Sequence, residues 1–171
     1  MQDSASTQTA LSTFADWLSD TPLSQLIQNT SWIIPGAQSI HILAIAMVMS
    51  SALMVMLRVL GVVMRDVPTA GVARRFLPWI WYPLIVLLVS GAILIIGEPG
   101  RSLTNSVFQL KMLLLVGAMI CTVILQRPLR TNEGYWESTA GARAGGKAVA
   151  LVSLGLWSCI VFAGRWIAYA G

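Results

Sequence analysis

The sequence predicts an all-α fold, a transmembrane four-helix bundle preceded by one or two amphipathic interfacial helices. Of its 171 residues, 56% are hydrophobic and only 11% are charged, whereas charged residues make up about 25% of a typical soluble domain. Four apolar runs approach or exceed the length of about 20 residues that a helix needs to cross the hydrocarbon layer. These runs are residues 36–63, 79–97, 105–126 and 148–170.

The apolar runs predict helices and not barrel strands. Each run is continuously apolar and lacks the inward and outward alternation of a membrane barrel. Prolines, which do not continue a helix, stand between or just after the first three runs at Pro68, Pro78, Pro99 and Pro128. We therefore expect a single transmembrane domain over residues 36–171.

The first 35 residues form a separate amphipathic segment in this interpretation. Apolar residues recur at helical spacing from Leu11 to Ile27, and Thr21-Pro22 interrupts the pattern. The favoured prediction is a pair of short helices lying on the outer leaflet. The alternative is a lid over a site that opens to the same side.

Basic residues predict the orientation in the membrane, because they concentrate in cytoplasmic loops. The connections 64–77 and 127–147 hold seven of the eleven Lys and Arg residues, whereas the first 35 residues hold none. Both termini are therefore expected on the periplasmic side of a bacterial inner membrane. The 127–147 connection is expected to be flexible, and Arg58 is expected to extend to the inner headgroups beside Arg65. The net charge of +4 follows from this topology and predicts no nucleic-acid partner.

Three ionisable residues from separate runs fall at one depth. At about 1.5 Å per residue, His41, Lys111 and Arg165 each lie about 8 to 9 Å below the periplasmic interface. Charged groups inside a bilayer are costly and often functional. Their shared level predicts an outward-facing polar pocket, although Lys111 and Arg165 alternatively snorkel to headgroups and His41 alternatively makes an interhelical hydrogen bond.

The second run contributes further candidates near the same level. Glu98 lies at its outer end, at a height where it could pair with Lys111 or Arg165. Ser90 and Gly91 lie about one and a half turns deeper, where a glycine lets a flat ligand or another helix approach closely. The candidate binding residues are therefore His41, Ser90, Gly91, Glu98, Lys111 and Arg165.

The residue types in this pocket suggest a redox ligand. A neutral imidazole ligates a metal through one ring nitrogen, which makes His41 the candidate metal ligand, and Lys111 and Arg165 suit an anionic group. This combination fits haem b with outward propionates, or a quinone whose carbonyls need donors. Otherwise, the pocket binds a lipid phosphate. A single histidine and two cysteines without a CxxC pair predict no multi-histidine centre and no thiolate metal site.

The order of local motifs resembles an uncharacterised family of small four-helix bacterial inner-membrane proteins, carried as a domain of unknown function. The motifs are Trp32, Ile34-Pro35, Ser39-Ile40-His41-Ile42-Leu43, Leu57-Arg58-Val59-Leu60-Gly61, Leu77-Pro78-Trp79, Ser90-Gly91, Phe108-Gln109-Leu110-Lys111 and Arg165. More distantly, the pattern is similar to haem-dependent four-helix protoporphyrinogen oxidases and to copper-resistance D-type membrane proteins. In the oxidase resemblance, His41 and Lys111 take the family's histidine and lysine positions. The nearer family implies no established activity.

Two classes of function remain open from the sequence. The leading hypothesis is an integral inner-membrane protein that binds haem b or quinone near the periplasmic face and serves membrane electron transfer or redox chemistry. The competing hypothesis is a non-catalytic structural or accessory subunit, which binds membrane lipid and packs against a second copy or a larger membrane complex. Whether the chain is an enzyme is left open by its residues.

Overall fold

The protein is all-α over the described part of the chain, as the sequence predicts. The structure is a computed structural model that describes the backbone of residues 2–166 and the side chains of residues 9–164. The helices are α1 (Gln2–Ser19), α2 (Pro22–Asn29), α3 (Ile33–Val59), α4 (Thr69–Phe76), α5 (Pro78–Gly97), α6 (Pro99–Leu103), α7 (Ser106–Thr131), α8 (Tyr135–Ser138) and α9 (Ala140–Trp166).

Four of the described helices are long and apolar enough to cross a membrane, which confirms the predicted four-helix class. Their candidate spans are Ile33–Val59, Thr69–Gly97, Ser106–Leu129 and Ala140–Gly164. The second combines α4 and α5, which meet at Leu77. Residues 167–170 of the fourth predicted run lie outside the described residues.

Local sequence determines where several helices begin and end. The Asn105 side chain caps α7 by accepting hydrogen bonds from the amides of Val107 at 2.8 Å and Phe108 at 3.3 Å. At the end of α3, Gly61 adopts a φ of 78°, and the Val62 amide bonds back to the Leu57 carbonyl at 2.9 Å. This Schellman arrangement requires a left-handed residue, which glycine adopts without steric cost.

The bundle consists of two helix pairs that meet along one side. Helix α3 packs along α5, α7 packs along α9, and the pairs join where α3 meets α9. The backbones of α5 and α7 approach each other at most marginally among the described residues, and near the distal end the Trp81 indole of α5 donates to the Gln126 side-chain oxygen of α7 at 3.0 Å. Small residues at the α3 seam, Ala44 and Ala52, are almost fully buried and let the helices approach closely. We call the end of the bundle with α6 the proximal end and the end with α4 and α8 the distal end.

The distal connection 127–147 is more helical than the sequence analysis expects. Helix α7 continues through Pro128 to Thr131, α8 forms a short turn, and α9 already begins at Ala140. Trp136 is buried and donates its indole N–H to the Leu125 carbonyl at 2.9 Å. Gly146 brings α9 against the Trp136 ring. The sequence does not predict these helical turns, because the packing that holds them is long-range and has no local sequence signal; the flexibility of the connection stays a prediction.

The N-terminal helices dock on the proximal end. Helix α2 packs on α5, and α1 packs on α6. Ser24 is fully buried and donates its hydroxyl to the Ile96 carbonyl at 2.6 Å, and Ile27 packs against Gly97. The outward faces carry exposed Phe14, Trp17 and other apolar side chains, a pattern typical of interfacial helices.

Candidate functional site

A cavity of about 430 Å³ lies in the proximal half of the bundle. Its walls come from all four long helices and from α6. The cavity occupies the side where the proximal halves of α5 and α7 separate, because the other neighbouring pairs, α3–α5, α3–α9 and α7–α9, are packed together. Its size falls within the range of about 300 to 1,000 Å³ that is typical of small-molecule sites. The described residues of α1 and α2 do not contribute to its wall.

The structure brings four of the sequence-predicted residues to this cavity. His41, Gly91, Glu98 and Lys111 all line it, and Ser90 lies directly behind His41. Arg165 lies in α9 next to the wall residue Gly164, but its side chain lies outside the described part of the chain.

His41 is oriented by an interhelical hydrogen bond. Its Nδ1 lies 2.8 Å from the Ser90 hydroxyl oxygen, and that hydroxyl lies 2.7 Å from the Val86 carbonyl. Because a hydroxyl has one hydrogen, donation to Val86 leaves Ser90 to accept from Nδ1–H. The imidazole then carries its proton on Nδ1, and Nε2 keeps a free lone pair. A histidine held in this way is suited to ligate a metal or to accept a hydrogen bond.

Gly91 forms the part of the wall next to the imidazole. A Cβ atom at this position would lie 3.5 Å from His41 Cε1, an ordinary van der Waals distance. An alanine would therefore fit, whereas a longer side chain would compete with the imidazole or with a ligand for space. The glycine expands the cavity at the level of His41.

Lys111 is the cationic group of the cavity, on the wall opposite α5. Its side chain is half-buried, and its Nζ would lie 3.8 Å from a Cβ atom placed on Gly164. It makes no hydrogen bond or ion pair with the described side chains and backbone. An ammonium group that has no partner among the described residues is available to an anionic or carbonyl group of a ligand.

Among the described side chains, Glu98 pairs with Arg101 and not with Lys111, and its other predicted partner, the Arg165 side chain, lies outside the described part of the chain. The Glu98 carboxylate contacts Arg101 of α6 at 3.3 Å, and the side chains of Arg101 and Glu98 are 59% and 38% exposed. Arg101 takes this role because it follows Glu98 by three residues, immediately after the turn at Pro99. The pair lines the mouth of the cavity and leaves Lys111 unneutralised.

Trp157 is a wall residue that sequence reasoning missed. It is 3% exposed, and its indole N–H has no hydrogen-bond partner in the described structure. Leaving such a donor unpaired costs about 1 to 3 kcal/mol. The available signal was its position, because tryptophans of membrane proteins concentrate at the interfaces whereas Trp157 lies near the middle of its span.

The cavity is graded in polarity along the bundle axis. Its mouth carries the Glu98–Arg101 pair, its middle carries His41 and Lys111, and its floor is formed by apolar side chains with Trp157 among them. This gradient suits an amphiphilic ligand. No group of three or more His, Cys, Asp or Glu residues in the described range converges to hold a metal ion.

A second polar cluster lies at the distal end. Glu137 Oε1 accepts hydrogen bonds from Arg58 Nη2 at 3.0 Å, the Thr69 amide at 3.1 Å and the Thr69 hydroxyl at 2.6 Å. The Thr69 hydroxyl and amide and the Arg58 guanidinium lower the pKa of the Glu137 carboxyl, against a smaller opposing effect of desolvation. The expectation that Arg58 extends to headgroups was wrong, because Glu137 and the Val67 carbonyl, 2.7 Å from Nε, satisfy its guanidinium within the protein.

Fold and cavity together define a small helical integral membrane protein with a largely apolar cavity, which carries a few polar groups, in one half of its bundle. Residues 16–170 match the model of a family of unknown function, DUF6644, and the chain belongs to this family. No curated protein and no solved structure shows a significant match. The resemblance to an uncharacterised family is thus confirmed. The more distant resemblance to protoporphyrinogen oxidases and copper-resistance proteins is not shown by these comparisons.

Proposed function

We propose that the cavity binds a redox-active amphiphile, haem b or a quinone, and that the protein serves electron transfer or redox chemistry in the membrane. The supporting observation is the His41–Ser90 pair, which engages Nδ1 and leaves Nε2 free on a cavity wall. An interhelical hydrogen bond alone does not require a cavity next to the imidazole, so the cavity beside His41 supports a ligand-binding role.

The donor set is compatible with haem b. His41 would hold the haem iron through Nε2, with Ser90 fixing the tautomer of the imidazole, and Lys111 would pair with a haem carboxylate. Bound haem would supply one-electron chemistry at its iron. The apolar floor would exclude water from the macrocycle. In this case, the residues of the chain bind and orient the group, and Ser90 holds the proton on Nδ1.

The quinone alternative uses the same residues differently. Lys111 would donate to a carbonyl oxygen, and His41 Nε2 would accept from a hydroxyl of the reduced form. The competing lipid-binding role rests on Lys111, because an ammonium in an apolar cavity also suits a phospholipid phosphate. In that role the protein is a structural or accessory membrane subunit, associated with a second copy or a larger complex.

The orientation of the site follows from the charge distribution. Exposed basic residues cluster at the distal end, namely Arg65, Arg74, Arg75, Arg127, Arg130, Arg143 and Lys147. This supports placing the distal end in the cytoplasm and the cavity mouth on the periplasmic side of a bacterial inner membrane. Both termini would then be periplasmic.

The test is an absorption spectrum of the detergent-purified protein, together with mass spectrometry of the small molecules that co-purify. We expect either a Soret band or a stoichiometric quinone, and loss of that ligand in His41→Ala. Ser39→Ala is the matched control, because Ser39 is an exposed α3 residue that bonds the Pro35 carbonyl and lies outside the cavity wall. A colourless protein that carries only phospholipid would reject the redox proposal and favour the accessory role.

A further inference from the structure

We propose that the ligand of the cavity is an anionic amphiphile, whose charged group pairs with Lys111 and whose apolar body fills a lateral window between α5 and α7, in contact with the bilayer. This inference rests on the proposed function, which leaves anionic haem b and neutral quinone open, and it restricts the ligand to the anionic class. It depends on the charge balance of the cavity wall and on the separation of two helices.

The described wall of the cavity carries one uncompensated positive charge. Its charged residues are Glu98, Arg101 and Lys111. Glu98 and Arg101 compensate each other in an ion pair of 3.3 Å, whereas the half-buried Lys111 has no such partner among the described residues. The other acidic residues of the described range lie outside the wall, namely Asp16, Asp20, Asp66, Glu133 and Glu137.

This charge balance selects the chemistry of the ligand. Burying a charge is costly unless an opposite charge or hydrogen bonds compensate it. A ligand with an anionic oxygen group neutralises the Lys111 ammonium and forms a charge-assisted hydrogen bond with it. A neutral carbonyl accepts a hydrogen bond but leaves the charge in place. The cavity is therefore better matched to an anion than to a neutral ring.

A window opens the cavity to the side of the bundle. Two apolar stripes border it, each at the i, i+4, i+7 spacing of one helix face, and they consist of Leu88, Ala92 and Ile95 on α5 and of Phe108, Met112 and Leu115 on α7. Seven residues along a helix span about 10 Å. Helix α6 connects the two helices proximally, and the hydrogen bond from Trp81 to Gln126 joins them near the distal end.

The window faces lipid. Leu88 is 60% exposed and Met112 is 37% exposed although both line the cavity, and both helices lie within candidate spans. Lys111 directly precedes Met112 in α7, so a ligand paired with the ammonium can extend its apolar body across the window. An anionic oxygen group on an apolar body is the chemistry that haem b, through its carboxylates, shares with a long-chain lipid anion.

The first test uses palmitate with a photoreactive diazirine in its chain, and the methyl ester as the neutral counterpart, added to the protein in nanodiscs. We expect the acid to label window residues of α5 and α7, and the ester to label them at least fivefold less. Lys111→Met is expected to reduce labelling by the acid about tenfold, and Lys111→Arg to retain it. Lys147→Met, the matched control, removes the same charge at an exposed distal position and is expected to change labelling less than twofold.

Two results of this test would overturn the anionic class. One is equal labelling by the acid and the ester. The other is a loss in Lys111→Met no greater than the loss in Lys147→Met.

The window is tested by obstruction. Ala92→Trp places a bulky ring at an exposed wall position of α5, whereas Val89→Trp, the matched control, adds the same ring at an exposed α5 position outside the wall. We expect Ala92→Trp to reduce labelling by the acid at least fivefold and Val89→Trp to change it less than twofold. Met112→Trp makes the same test from α7 if Ala92→Trp does not fold. Equal effects at wall and control positions would overturn the window.

Haem b and a ubiquinone analogue with a ten-carbon tail, added to the same nanodiscs, separate this inference from the proposed function. A Soret band that displaces the palmitate label and is lost in Lys111→Met would support both. Palmitate labelling without haem or quinone binding would support the anionic class and reject the redox function. Quinone binding that Lys111→Met leaves unchanged would overturn the anionic class and leave the redox function intact. Binding of none of these probes would overturn both proposals.

Discussion

Replacing Glu137 with glutamine tests how the distal end is held together. One carboxylate oxygen accepts three hydrogen bonds, from the Arg58 guanidinium and from the amide and hydroxyl of Thr69. These bonds connect α8 to the end of α3 and the beginning of α4. Glu137→Gln keeps one oxygen acceptor in a side chain of the same shape, removes the charge and replaces the second oxygen with an amide NH₂ group.

The expected loss follows from the exposure of the two partners. Hydrogen bonds to a charged group contribute about 1.5 to 3 kcal/mol and neutral ones about 0.5 to 1.5 kcal/mol. The Arg58 side chain is 12% exposed, but that of Glu137 is 42% exposed, and solvent screening reduces the value of such a pair. We therefore expect Glu137→Gln to lower the free energy of unfolding by about 1 kcal/mol in total.

This contribution depends on pH in a defined direction. The Thr69 hydroxyl and the other donors lower the pKa of Glu137 below its usual value of 4.5. A carboxyl group with a lowered pKa stabilises the folded protein above its unfolded pKa, and this stabilisation is lost as the pH falls through the folded value. The difference between wild type and Glu137→Gln is therefore expected to be constant above about pH 5.5 and to shrink below 4.5.

The assay is equilibrium unfolding of the purified protein in mixed micelles, followed by tryptophan fluorescence over a series of pH values. Glu133→Gln is the matched control, because Glu133 forms a surface ion pair with Arg74 in which the side chains are 60% and 71% exposed. Its effect is expected below about 0.5 kcal/mol. Equal losses in the two variants, or a Glu137→Gln loss that persists undiminished at pH 3.5, would refute the assignment of stability to the Glu137 charge.

Three further outcomes follow from packing and topology. Gly97→Ala is expected to destabilise docking of α2 by about 1 to 2 kcal/mol, because its Cβ would lie 2.9 Å from Ile27 Cγ2, and therefore to speed proteolysis near residue 20. In the control Gly100→Ala, the added Cβ meets nothing within 4 Å, so this variant is expected to be cleaved at the wild-type rate. Gly146→Ala is expected to lower the unfolding midpoint and shift tryptophan emission, because its Cβ would lie 2.8 Å from the Trp136 ring; unchanged emission would contradict this packing. A phosphatase fused to the C-terminus is expected to be active and one fused after residue 66 inactive, since only periplasmic reporters are active; the reverse result would invert the orientation.

The positions of the spans were predictable from sequence, but their ends were predictable only where a local signal exists. Asn105 marks the beginning of α7 within one residue of the predicted run, since a capping side chain acts on its own neighbouring amides. The beginning of α9 was predicted eight residues too late, because residues 140–147 are polar or small and become helical against Trp136 of the preceding turn.

In the candidate site, too, the sequence predicts positions along each helix but not the contacts between helices. Depth along a helix follows from residue counting, so His41, Gly91, Glu98 and Lys111 could be grouped before any coordinates were known. Counting assigns no partner, however. Residue counting did not predict that Glu98 contacts Arg101. It also gave no reason to select Trp157, because an indole in an apolar span is expected to serve packing, and only the structure shows that its N–H lacks an acceptor among the described residues.

The sequence by itself determined that this chain is a four-helix membrane protein, because the length of an apolar run and the local chemistry of its ends suffice to specify a span. Only the tertiary structure decided the rotation and pairing of the helices. Spans that are apolar on every side carry no stripe that orients them, so packing alone places Ser90 behind His41, joins Glu137 to Arg58, and leaves α5 and α7 apart around a cavity.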